Sequence, residues 1–284
     1  MSLVSWQKSG QYFAHNGHQI FYRNEGQGKA LLLIHGFPSS SHDWHKVWQH
    51  LQQDHQLIAP DMIGFGFSDK PAGYTYAIHD QADLHVSLLQ KLHITSCRIM
   101  AHDYGVSVAQ ELLARHNRGA LPVSISSVTF LNGGLLPGEH RPRLIQRLLL
   151  SPIGFVLTRF LTKEKLRQNF AAIFGPKTQA TPAEIDDFWS MNTHNQGHLR
   201  MHRLIRYMAD RVEHKDRWVN ALAETKVPLC LINGGYDPIS GRHVAARFRE
   251  LLPHVNTVVM DQIGHYPQIE APQKVLHHYR AFIG

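Results

Sequence analysis

The chain has 284 residues, of which 43% are hydrophobic and 18% charged, and its formal net charge is +7. This composition is typical of a folded globular protein and excludes the weakly hydrophobic, highly charged class of disordered chains. With only two cysteines, a disulfide scaffold is also excluded. Cys97 and Cys230 both lie in apolar runs, which favours buried free thiols. The length leaves one or two domains open.

Histidine is the unusual feature of the composition, with 22 residues beside a basic excess. The spacings contain no His-Glu-x-x-His motif and no Cys/His cluster, so we expect no metal site and no cofactor. Lysine and arginine are scattered along the chain. Without a basic arm or a recognition motif, a nucleic-acid partner is not expected either.

The first ten residues lack the apolar segment and cleavage site of a signal peptide, so we expect a cytoplasmic location. The most apolar internal stretch, 148–158, contains Pro152 and lies between Arg147 and Arg159. It is too short to span a bilayer. A packed helix is the preferred interpretation, with contact to a membrane surface as the alternative. The oligomeric state cannot be inferred from such patterns.

The predicted elements begin with a hairpin at 12–24, where apolar residues alternate around the turn signal Asn16-Gly17. Continuous apolar runs and helical patterns then alternate, and continuous runs indicate strands that are buried on both faces. We therefore predict an α/β fold with a mostly parallel, doubly wound sheet. The predicted strands are 30–34, 56–59, 98–101, 128–131, 227–232 and 256–260, and the helices between the first four include 78–92 and 106–117.

The alternation stops at Asn132 and resumes only near Val227. The segment between them has a helical pattern divided by prolines, which indicates an inserted helical cap. We expect the core to comprise 1–132 and 221–284 and the cap 133–220. Residues 136–225 contain 14 Lys and Arg against 9 acidic residues, so +5 of the net charge belongs to this region.

Reactive side chains follow several strands, at the edge where open parallel sheets bind their ligands. After the third parallel strand, Ala101 and Gly105 flank Asp103 in a small-x-nucleophile-x-small pattern. Between a strand and a helix this pattern is typical of a nucleophile elbow, whose tight turn requires small neighbours. The order nucleophile, acid, histidine then assigns the other two positions to Asp237 and His265.

With these residues the sequence resembles the α/β-hydrolase superfamily, within the epoxide hydrolase and haloalkane dehalogenase group that uses an aspartate nucleophile. It is most similar to the mesoderm-specific transcript branch. The resemblance implies that the backbone N–H groups of Phe37 and Tyr104 form the oxyanion hole. The motifs that carry it are His-Gly-Phe-Pro-Ser-Ser-Ser (35–41), Gly-Phe-Gly-Phe-Ser-Asp-Lys-Pro (64–71), His-Asp-Tyr-Gly (102–105), Asn-Gly-Gly (132–134), His-Arg-Pro (140–142) and His-Tyr-Pro-Gln (265–268).

An aspartate nucleophile narrows the reaction. Attack on an ester carbonyl would give an unstable anhydride, whereas attack on a saturated carbon gives a stable alkyl ester. The expected substrate is therefore a small molecule such as an epoxide or an alkyl halide, with water as the second substrate. His265, oriented by Asp237, would activate that water against the Asp103 ester.

The leaving group distinguishes the two reactions. Tyr207 is the only tyrosine of the insertion and resembles the tyrosine that assists ring opening in epoxide hydrolases, although many of these enzymes use two. Dehalogenases of this group have tryptophan after the nucleophile, where this chain has Tyr104, so a dehalogenase is the weaker alternative. The other alternative is a hydrolase-fold protein that binds a ligand without turnover. The side chains expected to line the pocket are Trp189, Asn192 and His194.

Overall fold

The computed structural model describes residues 1–284, and its centre is one eight-stranded sheet. The strands are β1 Gln11–His15, β2 His18–Glu25, β3 Lys29–Ile34, β4 His55–Pro60, β5 Ser96–His102, β6 Ser124–Leu131, β7 Leu229–Gly234 and β8 Asn256–Met260. They are arranged in the order β1-β2-β4-β3-β5-β6-β7-β8. Strands β3 to β8 run parallel, and β1 and β2 are antiparallel at one edge. The predicted fold class is confirmed.

Fourteen α-helices surround the sheet or form the insertion. They are α1 Leu3–Lys8, α2 His45–Leu51, α3 Ile78–Lys91, α4 Tyr104–Asn117, α5 Leu144–Leu150, α6 Gly154–Leu157, α7 Lys163–Ala171, α8 Pro182–Thr193, α9 Met201–Leu204, α10 Tyr207–Glu213, α11 Lys215–Glu224, α12 Arg242–Leu251, α13 Pro267–Glu270 and α14 Pro272–Ile283. Short 3₁₀ helices cover Ser41–Trp44, Thr158–Phe160 and His194–Arg200. No helix combines the length and the apolar character needed to cross a bilayer.

The edge hairpin turns at the predicted residues. Asn16 and Gly17 both have positive φ, 48° and 79°, as a two-residue type I′ turn requires. This turn matches the right-handed twist of the flanking strands and sets the pairing of His15 with His18. The hairpin therefore adds β1 and β2 to the parallel part of the sheet through β4.

The apolar run of β3 is buried on both faces of the sheet, as its continuity predicts. Leu31 and Leu33 pack with residues of α1, α2 and α14 in one core, while Leu32 and Ile34 pack with residues of α3 and α4 in the other. Successive side chains of a strand point to opposite faces, so a strand between two helical layers needs apolar residues at every position. Cys97 and Cys230 are free thiols buried in these two cores.

The insertion between β6 and β7 supplies α5 to α10, which cover the carboxyl ends of the strands. Helix α11 follows them and packs against α4, beside the sheet. The predicted core boundary at residue 221 falls inside this helix. We propose that the core resumes at Lys215, because α11 belongs to the helical layer of the sheet.

The cap has an apolar core of its own, which Ile239, Tyr266 and Ile269 complete from outside the cap. Tyr266 lies between the rings of Phe170, Phe174 and Phe188, with ring centroids 5.3 to 5.6 Å apart. Its neighbour in sequence is His265, so packing of the cap fixes the position of that histidine loop.

Candidate active site

Asp103 occupies the turn between β5 and α4 in a strained backbone conformation. Its φ and ψ are 45° and −105°, a region that residues with a side chain rarely adopt. The turn is tight enough to exclude larger neighbours, since a Cβ atom on Gly105 would lie 2.5 Å from the carbonyl oxygen of Ile34. The elbow thus holds the Asp103 side chain at the carboxyl end of the sheet, and the small flanking residues have a steric reason.

The two carboxylate oxygens of Asp103 face different partners. Oδ2 accepts a hydrogen bond of 3.0 Å from the backbone N–H of Phe37. Oδ1 lies 3.8 Å from Nε2 of His265. Tyr104 is the first residue of α4 and offers the neighbouring backbone N–H. One oxygen is therefore held by the predicted oxyanion-hole donor, while the other faces the histidine.

His265 is held from behind by Asp237. Its Nδ1 lies 2.7 Å from Oδ2 of that carboxylate, so this nitrogen donates and Nε2 is directed toward Asp103. Asp237 also accepts hydrogen bonds from the Ile239 and Ser240 backbone N–H groups, the Ser240 hydroxyl and the Asn132 amide. With donors on both of its oxygens, the carboxylate is held in place, and it fixes the orientation of the imidazole.

These contacts shift both pKa values. Burial acts to raise the pKa of Asp237, but the attraction of His265 and the hydrogen bonds from His265, Ser240 and Ile239 outweigh it and lower this pKa. Burial likewise acts to lower the pKa of His265, and the Asp237 carboxylate, assisted by the charge of Asp103, raises it to about 9. The resting site therefore holds an imidazolium between two carboxylates.

The sequence did not predict two residues that hold this site in place, Asn132 and Glu270. Asn132 connects the strand ends, because its backbone carbonyl accepts from the N–H of Asp103 while its side-chain amide donates to Asp237. Glu270 braces the histidine loop by accepting from the backbone N–H groups of Gly264 and Tyr266, and from Gly175 in the cap. Asn132 directly follows β6, and that position was the signal that could have identified it.

Arg211 of α10 is a third residue that sequence reasoning missed, since a buried arginine in a basic cap has no distinguishing pattern. It is 3% exposed. Its guanidinium donates to the Ser107 hydroxyl at 2.6 Å and to the Asp103 carbonyl oxygen at 2.9 Å, and it stacks on the Tyr207 ring. The cap is thus joined directly to the elbow turn.

His35 and His102 lie beside the site and serve as hydrogen-bonding supports. His35 bonds the Gly36 carbonyl through Nδ1 and the Met62 N–H through Nε2, and His102 bonds the carbonyl of His265. Burial lowers the pKa of each to about 3, so both imidazoles stay neutral at ordinary pH.

An apolar cavity opens onto Asp103 and His265. The cap supplies most of its wall, and Phe37 and Ile239 come from the core. Six polar or charged side chains take part besides these, namely Asp103, His265, Arg143, Gln146, Thr162 and Asn169. The remaining cap residues of the wall are Ile145, Leu149, Leu161, Leu166, Phe170, Ile173, Trp189 and Met201.

Only one of the four cap residues predicted for the site lines the cavity. Trp189 lines the cavity. Asn192 and His194 do not line it: the Asn192 amide bonds the Phe188 carbonyl of its own helix, and the His194 ring packs on Phe67. Tyr207 is buried against Tyr104 and Phe37 beside the cavity wall, and its hydroxyl has no hydrogen-bond partner. Burial and the charge of Asp103 raise the pKa of that hydroxyl.

Comparisons with known proteins agree with this fold. The family described as alpha/beta hydrolase fold matches residues 29–272. The mesoderm-specific transcript protein of Mus musculus is 40% identical over 99% of this chain and 88% of its own length. Among solved structures, haloalkane dehalogenase DbeA from Bradyrhizobium elkani USDA94 is 24% identical, with 97% of each chain covered and a TM-score of 0.80. Epoxide hydrolase CorEH is 21% identical, with 96% of this chain and 97% of its own covered and a TM-score of 0.76. The chain therefore belongs to the alpha/beta hydrolase fold family, among relatives that include the mesoderm-specific transcript proteins.

Proposed function

We propose that the protein hydrolyses a small apolar epoxide through a covalent ester on Asp103. The observation that carries this proposal is that the two oxygens of the Asp103 carboxylate have different partners. Oδ2 accepts from the Phe37 N–H, and Oδ1 faces His265 at an apolar cavity. A serine hydrolase would have a hydroxyl here, and a carboxylate favours attack on saturated carbon.

In the first half-reaction, Oδ1 of Asp103 attacks an epoxide carbon and the ring C–O bond breaks. The electron pair of that bond moves to the ring oxygen, which becomes an alkoxide. Tyr207 is our candidate to donate a hydrogen bond and a proton to it, since its buried hydroxyl has no partner in the chain. A small movement of the cap would bring this hydroxyl to the cavity, because Tyr207 already contacts Phe37 in its wall.

In the second half-reaction, a water molecule attacks Cγ of Asp103 and gives a proton to Nε2 of His265. Oδ2 becomes the oxyanion, and the Phe37 N–H that already holds it stabilises the added charge. The ester bond then breaks, and the product oxygen takes the proton from His265 and leaves as a diol. Asp103 is left as a carboxylic acid, and its proton returns to His265, which restores the carboxylate beside the imidazolium.

Ester formation itself would prepare His265 to act as a base. In the resting protein the pKa of His265 is about 9, so at neutral pH it carries a proton and cannot accept another. The charge of Asp103 is one cause of this high pKa. Because the ester is neutral, its formation removes that cause, and the pKa of His265 falls toward the range in which a histidine accepts protons. The proton that His265 then loses passes to the Tyr207 phenolate left by ring opening, so both groups are ready for the second half-reaction.

A single turnover in ¹⁸O water with excess protein tests the covalent step. We expect the label in the Asp103 carboxylate, and label that appears only in the product would exclude the ester. The His265→Gln variant should accumulate an alkylated protein in intact-protein mass spectrometry, with His254→Gln as the control because His254 is an exposed histidine. Styrene oxide, fatty epoxides and haloalkanes form the substrate panel.

Binding without turnover is the second candidate, and the position of Tyr207 outside the cavity lining favours it. If no member of the panel is turned over and Asp103→Ala leaves ligand affinity unchanged, the binding function is preferred. Turnover of haloalkanes alone would favour the dehalogenase. A cytoplasmic location stays a prediction for either function.

A further inference from the structure

Exposed apolar side chains are concentrated on one part of the cap, which we call the outer cap surface and define as residues 144–160. Seven of the thirteen large hydrophobic residues that are exposed in the whole chain lie within this short span. Leu144 and Phe160 are the most exposed of them, at 72% and 62%. The others are Leu148, Leu150, Ile153, Phe155 and Val156. Helix α5 contacts α6, and α6 contacts the following 3₁₀ helix, so these exposed side chains lie on adjoining elements.

Positive charge without acidic compensation lies within this surface and beside it in the sequence. Between Glu139 and Glu164 the sequence has no acidic residue. It has four arginines and one lysine there, namely Arg141, Arg143, Arg147, Arg159 and Lys163. Only Lys163 forms an ion pair, with Asp186 of α8, and none of the four arginines pairs with an acid. Apolar side chains surrounded by free cations are complementary to a surface that is apolar inside and anionic outside.

A basic groove borders the outer cap surface and extends this complementarity. His202, Arg203 and Arg206 line it, together with Leu150 and Phe155 of the surface itself. The one acidic side chain in the groove is Asp210, and its carboxylate is engaged with the backbone N–H of Ile78. The groove therefore offers cationic donors directly beside exposed apolar side chains.

Helix α5 connects this surface to the active-site cavity. Ile145 and Leu149 line the cavity, whereas Leu144 and Leu148 are exposed. A helix whose two sides are both apolar is expected where it separates two apolar surroundings. Only the width of helix α5 thus lies between the outer cap surface and the apolar cavity at Asp103.

We propose that the outer cap surface docks on the face of an anionic phospholipid membrane, with the apolar side chains inserted at the headgroup boundary and the arginines against lipid phosphates. A second copy of this chain is the less suitable occupant. In a two-fold dimer the same surface would face itself, and the unpaired arginines would repel one another. Docking does not depend on the proposed reaction, because it involves neither Asp103 nor His265.

Vesicle flotation tests the proposal with the full-length protein. The probes are vesicles of pure phosphatidylcholine and vesicles in which phosphatidylglycerol makes up about a third of the lipid. We expect the protein to float with the anionic vesicles at low salt and to be released in part by high salt. The triple variant Ile153→Ser, Phe155→Ser, Phe160→Ser should lower the bound fraction by at least about tenfold. Val212→Ser is the matched control, since Val212 is an apolar cap residue 71% exposed outside this surface.

A charge-reversed variant, Arg147→Glu with Arg159→Glu, should abolish the preference for anionic vesicles. The control Lys274→Glu, at an exposed residue of α14, should keep that preference. Failure of the wild-type protein to float, or equal flotation of both apolar variants, would overturn the proposal. So would a concentration-dependent dimer in light scattering that the triple variant disrupts. The His265→Gln protein should float like the wild type, so a failed reaction and a failed docking surface can be told apart.

Discussion

Replacing Asp103 by asparagine removes the negative charge that faces His265 and keeps the size of the side chain. Asp103 Oδ1 and His265 Nε2 are 3.8 Å apart. At that distance two unit charges attract by about 4 kcal/mol at an effective permittivity of about 20, which corresponds to about 3 pH units. Asp237 contributes more to the raised pKa of His265, and burial opposes both carboxylates. We therefore expect the pKa of His265 to fall from about 9 by about one to three units.

The measurement is an NMR titration of the His265 imidazole in the wild-type protein and in Asp103→Asn, with the signal assigned by its loss in His265→Gln. Asp261→Asn is the control, because Asp261 is exposed and pairs with Arg242. This control should leave the pKa of His265 unchanged, whereas Asp237→Asn should lower it further than Asp103→Asn does.

An unchanged pKa of His265 in Asp103→Asn would refute the reasoning, because the charge of Asp103 would then not contribute to that pKa. The proposed activation of the base by ester formation would fall with it. A lowered pKa would also predict the pH dependence of turnover: the hydrolysis step would be limited by a group that titrates well below 9.

Three further predictions follow from other contacts. Tyr207→Phe should reduce epoxide turnover by about 10²-fold in steady-state kinetics, yet leave the urea midpoint nearly unchanged, because the hydroxyl has no partner to lose; unaltered turnover would remove Tyr207 from the mechanism. Glu111→Gln should lower the free energy of unfolding by about 3 kcal/mol, since the buried carboxylate binds Arg115, Arg217 and Trp218 between α4 and α11; the exposed control Glu164→Gln should not move the urea midpoint. Acid should destabilise the protein below pH 6.5, because burial lowers the pKa of five histidines to about 3 or 4 while the unfolded chain binds their protons. Five such groups give a loss of up to about 7 kcal/mol per pH unit, measurable by urea unfolding at several pH values, and a flat profile would contradict it. The five are His35, His42, His85, His102 and His140.

The sheet was predictable because its determinants are local. The buried run of β3 and the Asn16-Gly17 turn each carry their structure in neighbouring residues, and α4 differed only by starting at Tyr104 instead of residue 106. That helix starts directly after the elbow, a turn that periodicity does not register. The elbow, Asp237 and His265 were equally accessible, because strand ends in a parallel sheet meet at one edge. Phe37 followed only from the resemblance to the family.

The cavity wall was less accessible. Asn192 and His194 were expected to line it, but their side chains turn to Phe188 and Phe67. Which side of a short cap helix faces the cavity depends on how the helices pack on one another, and that packing is not encoded in any one segment. The contact of Arg211 with Asp103 and the contact of Glu270 with Gly175 were inaccessible for a similar reason, since these partners are 108 and 95 positions away in the chain.

By itself, the sequence determined the fold class and predicted the place of the insertion and a candidate nucleophile, because each depends on short patterns of apolar, small and turn-forming residues. Tertiary structure alone decided the electrostatic state of the site. It brought Asp103 and Asp237 to opposite sides of one imidazole and buried all three, and it left the arginines of the outer cap surface unpaired. Charges act through space and through the loss of water around them, so their effects appear only when distant parts of the chain are assembled.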